Sequence, residues 1–139
     1  MLHGKGFSLF ETLIALSIVS ILAVIAIPMY LNYDVRVKIT EGFSLAEPVK
    51  SMVADYYETT GTWPGSNQAA GVEAPASYRT DNIESIKVAK NNTSAAIIIT
   101  YRIPALDSYN TIILVPTQLP GNTIQWSCTQ GTVINKGLS

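Results

Sequence analysis

Glu11 is a carboxylate in a stretch that water should not reach. It lies in an otherwise uncharged run from Phe7 to Ile27, FSLFETLIALSIVSILAVIAI. An ionised carboxylate in hydrocarbon costs on the order of several kcal/mol, so an acid in such a run is read as a functional group with a partner. The run contains no basic residue. The nearest candidate cation is an α-amino group, created if the chain is cut just before Phe7. Other groups suited to chemistry are scarce. There is one histidine, His3, and one cysteine, Cys128. They are too few for a Cys/His metal site. A Ser–His or Cys–His nucleophile pair would have to use His3, which sits in the short basic opening MLHGKG. No glycine-rich phosphate loop is present. The sequence therefore points to no catalytic residue, no metal and no cofactor.

The elements that position Glu11 follow from composition and period. The chain has 139 residues, enough for one ordinary domain, and a formal net charge of -1, which gives no basic field for nucleic acid. Charged residues make up 14%, against roughly 25% in an average soluble domain. The apolar surplus is concentrated in the Phe7–Ile27 block, which is about as long as the roughly 20 residues of a bilayer-spanning helix. Lys5 before it would hold the N-terminus on the cytoplasmic side. Three readings compete for this block: a plain membrane anchor, a secretory signal cut after Val24-Ile25-Ala26, and a segment in which Glu11 works. Neither of the first two has any use for Glu11.

Pro28 lacks an N–H and disfavours helical geometry at Ile27, so a kink or local break is expected there. The pattern then turns amphipathic. Val35, Ile39, Phe43, Ala46, Val49, Val53 and Tyr56 recur at three- and four-residue steps, one helical stripe for a core. Pro48 interrupts the stripe and should bend the helix again. The helix should end at Thr59-Thr60-Gly61, with Gly61 at C′ and Pro64 beyond. Residues 65–82 read as an exposed polar loop. Four strands are predicted, over 83–89, 95–103, 110–115 and 123–128, separated by short links that imply an antiparallel meander. The Ala95–Ile99 run suggests a central strand buried on both faces. Asn91-Asn92-Thr93-Ser94 holds two overlapping glycosylation sequons and reads first as a hairpin turn. The fold class is α+β: a long kinked N-terminal helix whose second half packs on a four-stranded antiparallel sheet.

Gly6-Phe7-Ser8-Leu9-Phe10-Glu11, followed by an apolar run to Pro28, resembles the class III signal of type IV prepilins. In that family a prepilin peptidase cuts after the glycine and N-methylates the new first residue. By resemblance, Gly6–Phe7 is the cleavage junction, Phe7 the methylated residue, and Phe7 and Glu11 the assembly residues. Pro28, Tyr30 and Tyr33 also fall where the family places a proline and tyrosines, while Ser8, Phe10 and Thr12 depart mildly from its usual residues. Asp55-Tyr56-Tyr57-Glu58-Thr59-Thr60-Gly61-Thr62-Trp63-Pro64 is similar to the helix end of type IVa major pilins, outside the export signal. The resemblance implies a leader over 1–6, a transmembrane and polymerisation half-helix over 7–28, and a head over 29–139 with the pilin fold.

It further implies a homo-polymer of pilin subunits, inserted in the inner membrane before assembly and displayed afterwards as an extracellular pilus. The implied partners are prepilin peptidase and the membrane assembly machinery, with nucleic acid only through DNA uptake. Adhesion, twitching motility or DNA uptake would be the service. Within the family the alternatives are a minor pilin or a type II secretion pseudopilin; outside it, a membrane-anchored binding module that never polymerises. Family members commonly close a C-terminal loop with a disulfide. Trp126-Ser127-Cys128-Thr129 resembles the first half of that loop, and Leu138 stands where the second cysteine would be. The bridge cannot form within this chain, so Cys128 is an unpaired cysteine, expected as a buried and inert thiol, with an interchain bond as the alternative.

Overall fold

The computed structural model describes residues 4–91, 93–108 and 110–132. Residues 1–3 with His3, Asn92 of the sequons, and the C-terminal stretch containing Leu138 lie outside the described residues. The chain divides into two compact units, Met1–Asp34 and Val35–Ser139. One helix, α1, runs from Leu9 to Thr60 and contributes to both. It passes through Pro28 and Pro48 without interruption of its helical state, so neither proline breaks it. Pro48 lies on the exposed side of α1, away from the buried stripe.

In the second unit the stripe is buried as its spacing predicts. Val35, Ile39, Ala46, Val49 and Val53 enter the core, while Phe43 packs against it half-buried. The position that completes the stripe is Gly42, which the hydrophobic pattern did not reveal. Gly42 is buried because the ring of Tyr101 lies directly on it: a Cβ built there would stand 2.7 Å from the ring's Cζ. The Tyr101 hydroxyl passes over this gap and donates to the Ile39 carbonyl at 2.8 Å. Ser, Thr or Leu at position 42 would fit a helix better, but only glycine lets the ring through.

α1 ends where Gly61 takes φ +69, the left-handed C′ conformation, and its N–H donates to the Tyr57 carbonyl at 2.8 Å. The chain then folds back: Trp63 stacks on Tyr57 with ring centroids 4.0 Å apart, and Pro64 is fully buried. The Tyr57 hydroxyl donates to Gln118 Oε1 at 2.7 Å, tying the helix end to the sheet.

The sheet consists of β1 (Ile83–Asn91), β2 (Ser94–Tyr101), β3 (Thr111–Leu119) and β4 (Thr123–Gln130) in the order β1-β2-β3-β4, all antiparallel. Asn91 pairs with Ser94, so the sequon segment is indeed the β1–β2 turn. In β2, Ile97, Ile99 and Tyr101 are buried, while Ile98 and Thr100 on the opposite face are half-exposed. The strand is central but not buried on both faces from Ile97 onward, because α1 covers only one face of the sheet. The loop over 65–82 also departs from expectation. It contains a short 3-10 turn, Pro75–Tyr78, and it buries Asn67 and Ala70. Glu41 on α1 holds its far end, accepting from Thr80 Oγ1 and Asn82 Nδ2, both at 2.7 Å.

Cys128 is free and exposed, not buried. Val115 pairs with Ser127 but Ile113 pairs with Gln130, so the register slips by one residue and a bulge falls at Cys128–Thr129. The extra residue removes Cys128 from the alternation that turns Trp126 toward the core.

Burial raises the Tyr101 phenol well above its ordinary pKa of 10.0, and the Glu41 carboxylate adds to this. A raised folded pKa gives stability that is complete below pH 10.0 and declines as pH rises further. The hydroxyl therefore remains a donor to Ile39 throughout the physiological range. Gly42→Ala should force the ring off the helix and cost about 1–3 kcal/mol, as overpacking does. Thermal denaturation of the full chain in detergent should show a Tm lower by about 5 °C or more. An unchanged Tm would mean that the ring is free to yield.

Candidate functional site

The residues singled out by their chemistry gather at the start of α1, within the first unit. Ser8 begins the helix. The Glu11 N–H donates to Ser8 Oγ at 3.2 Å, and the Thr12 N–H donates to the Ser8 carbonyl at 3.1 Å. Ser8 is therefore the N-cap and Glu11 occupies the third helical position, an arrangement written in the sequence as Ser-x-x-Glu. A carboxylate in the first turn also lies at the positive end of the helix dipole. Lys5, Gly6, Phe7 and Glu11 together line one open recess of about 420 Å³. The structure thus brings Gly6, Phe7 and Glu11 to a single place. It adds Lys5, which sequence reasoning used only to orient the segment.

Behind the recess the helix is apolar all round. Phe7, Leu9, Phe10 and Leu31 are exposed, and so are the large apolar residues between them, with Leu9 at 88%. By length and composition this helix can cross a membrane. Its hydroxyls make no demand on the surroundings. Thr12 Oγ1 donates to the Leu9 carbonyl at 2.8 Å, Ser17 Oγ to Leu13 at 2.9 Å, and Ser20 Oγ to Leu16 at 2.7 Å. Such back-bonding gives these three hydroxyl hydrogens an acceptor within the helix. Tyr30 and Tyr33, beyond Pro28, are also exposed.

Cys128 and Pro48 lie in the second unit and take no part in this recess. Among the described residues, no group of three or more His, Cys, Asp or Glu side chains is placed to hold a metal ion.

The site and the fold match known proteins. Residues 1–27 match the prokaryotic N-terminal methylation motif, and residues 35–139 match the pilin family of bacterial filaments. The chain belongs to the pilin family. It is a type IV pilin with a class III signal. A fimbrial protein of Neisseria meningitidis serogroup B is 41% identical over 92 residues, which cover 66% of this chain and 54% of that protein. The type IV major pilin protein PilE of Neisseria gonorrhoeae is 39% identical over 93 residues, 67% of this chain and 56% of PilE. The fimbrial protein EcpC of Eikenella corrodens is 38% identical over 98 residues, 70% of this chain and 63% of EcpC. This pilin thus spans about half the length of the first two curated relatives over the matched region.

Removing the N-cap tests the geometry of the site directly. Ser8→Ala should cost the helix start about 1 kcal/mol and speed exchange of the Glu11 amide about fivefold. Hydrogen exchange of the full chain in micelles reads this, with amides after Leu16 unchanged and Ser8→Thr restoring protection. Equal exchange in Ser8→Ala and the wild type would remove Ser8 from the role of cap.

Proposed function

We propose that this pilin is a structural subunit of a type IV pilus, cut after Gly6, N-methylated on Phe7, and polymerised through the first part of α1. The observation that carries this reading is the recess in which Gly6, Phe7 and Glu11 meet, at the head of an exposed apolar helix. Residues 1–6 are then the leader, 7–28 the membrane and polymerisation segment, and 29–139 the head, with bends at Pro28 and Pro48. The role is structural and not catalytic. The partners are other pilin subunits, prepilin peptidase and the assembly machinery of the inner membrane, and the product is an extracellular filament. The gonococcal and meningococcal relatives carry the names type IV major pilin and fimbrial protein, which favours a main filament subunit over a minor pilin or pseudopilin. Adhesion, twitching motility or DNA uptake would be performed by the filament surface.

The mechanism rests on charge. In the uncut chain Lys5 stands beside Glu11 in the recess, so the carboxylate has a cation nearby before processing. The cut removes Lys5 with the leader and creates the Phe7 amine. When the helix leaves lipid for a bundle of like helices, apolar contacts are exchanged for apolar contacts. Glu11 then takes the Phe7 amine of a neighbouring subunit, and a charge with one permissible partner fixes the axial stagger, a register role attested for buried polar groups.

Mass spectrometry of purified filaments should find N-methylated Phe7 at the mature terminus. A terminus after Ala26 would overturn the reading, and a bulky residue at Gly6 should leave the full-length form in the membrane. Glu11→Ala should abolish or sharply reduce filaments seen by electron microscopy while processing continues. The neighbour's amine would enter an apolar bundle unpaired, and breaking a buried pair costs roughly 3–5 kcal/mol at each added subunit. Glu11→Asp should be intermediate. Wild-type filament yield from processed Glu11→Ala would refute the register mechanism.

A further inference from the structure

We propose that the Asn67 side chain stands in for an absent neighbouring strand and holds the outer edge of β1 closed to a second copy of this chain. Among the described residues, β1 is an edge of the sheet, with β2 on one side and no strand on the other. A bare edge presents unpaired N–H and C=O groups and is a template for pairing with another chain. Here the Val88 N–H donates to Asn67 Oδ1 at 2.7 Å, and Asn67 Nδ2 donates to the Ile86 carbonyl at 3.0 Å. A carboxamide offers the same donor and acceptor as a peptide group. The two backbone groups it satisfies flank Lys87, the pair that one residue of a parallel neighbour would engage.

The surrogate is fixed from behind. Asn67 Nδ2 also donates to the Glu73 carbonyl at 2.8 Å, and the Asn67 carbonyl accepts from the Val72 N–H at 3.0 Å. The side chain is thus fully used and only 5% exposed. The other end of the edge is closed separately, by the Thr80 N–H on the Ile83 carbonyl at 3.0 Å and the Ile83 N–H on Thr80 Oγ1 at 3.2 Å. The 3-10 turn Pro75–Tyr78 packs on β1 but leaves the middle of the strand beside a groove. This open groove of about 600 Å³ is lined in part by Gly65, Ser66, Asn67, Val72, Lys87 and Val88. At the middle of the strand one amide takes up the edge's hydrogen bonds.

A second copy is the occupant that the edge itself selects. Antiparallel pairing of two β1 strands centred on Lys87 sets Ile86 of each against Val88 of the other, which joins the groups Asn67 now holds. The same register brings Glu84 of each copy, which already pairs with Arg79 at 3.4 Å and Arg102 at 3.0 Å, toward Lys90 of the other. These added Lys90 contacts oppose the single Lys87–Lys87 repulsion. The device acts within the second unit and does not depend on the proposed assembly.

The test uses the full chain in detergent micelles, with Cys128→Ser throughout and Lys87→Cys as reporter, since residues directly opposite in such a pair lie within disulfide reach. Adding Asn67→Ala should raise disulfide-linked dimer about fivefold or more and speed exchange of the Val88 amide about tenfold. The Tyr101 amide, bonded to the Asn110 carbonyl at 2.7 Å, should remain protected. Wild-type values for both readouts would overturn the proposal, and so would faster exchange without added dimer. If Asn67→Ala also loses Tyr101 protection, Asn67→Asp decides, because it keeps the acceptor for Val88 and loses both donors. Dimer must then rise with Tyr101 protected; no rise overturns the proposal.

Discussion

The second unit depends on one close approach, the ring of Tyr101 laid against the backbone of α1 at Gly42. A helix normally rests on a sheet through interdigitating side chains, and the spacing tolerates some sliding. Here the hydroxyl reaches past the side-chain layer to the Ile39 carbonyl, and Gly42 leaves the room for it to do so. The contact fixes one point of β2 against one turn of the helix. Val35, Ile39, Ala46, Val49 and Val53 must then meet the inner residues of the sheet in a single register. Glu41, one residue away, anchors the end of the loop through Thr80 and Asn82. Loop, helix and central strand are thus referred to the same turn of α1.

Much of this was legible in the sequence because it depends on period. The helical stripe appears in its three- and four-residue steps, the helix end in Gly61, and the strands in alternation bounded by turn residues. What the period cannot carry was misread. Gly42 is buried through the size of its neighbour and not through its own hydrophobicity, so Phe43 looked like the better core residue. Cys128 lost its expected burial to a bulge, and one extra residue in β4 leaves no mark on composition. The buried face of β2 was overestimated because five apolar residues in a row do not say how many faces are covered. Asn67 was lost among the Gly, Pro, Asn and Ser of its loop, since a buried amide resembles an exposed one until its partners are known.

The candidate site was legible for a different reason. Glu11 is conspicuous because it violates its surroundings, and a violation needs no alignment to be noticed. Ser8 was legible in principle from the Ser-x-x-Glu spacing, although it was read only as a departure from the family's usual residue. The proximity of Lys5 could not be read, because nothing in a hexapeptide opening says which way it folds relative to the first helical turn.

Thr12, Ser17 and Ser20 give their hydroxyl hydrogens to carbonyls of their own helix. These three hydroxyls need no partner outside the helix, whatever the dry surroundings. Its free energy in lipid and among other apolar helices differs only through packing and through Glu11. Indifference of this kind is a property of side chains that ask nothing of their neighbours.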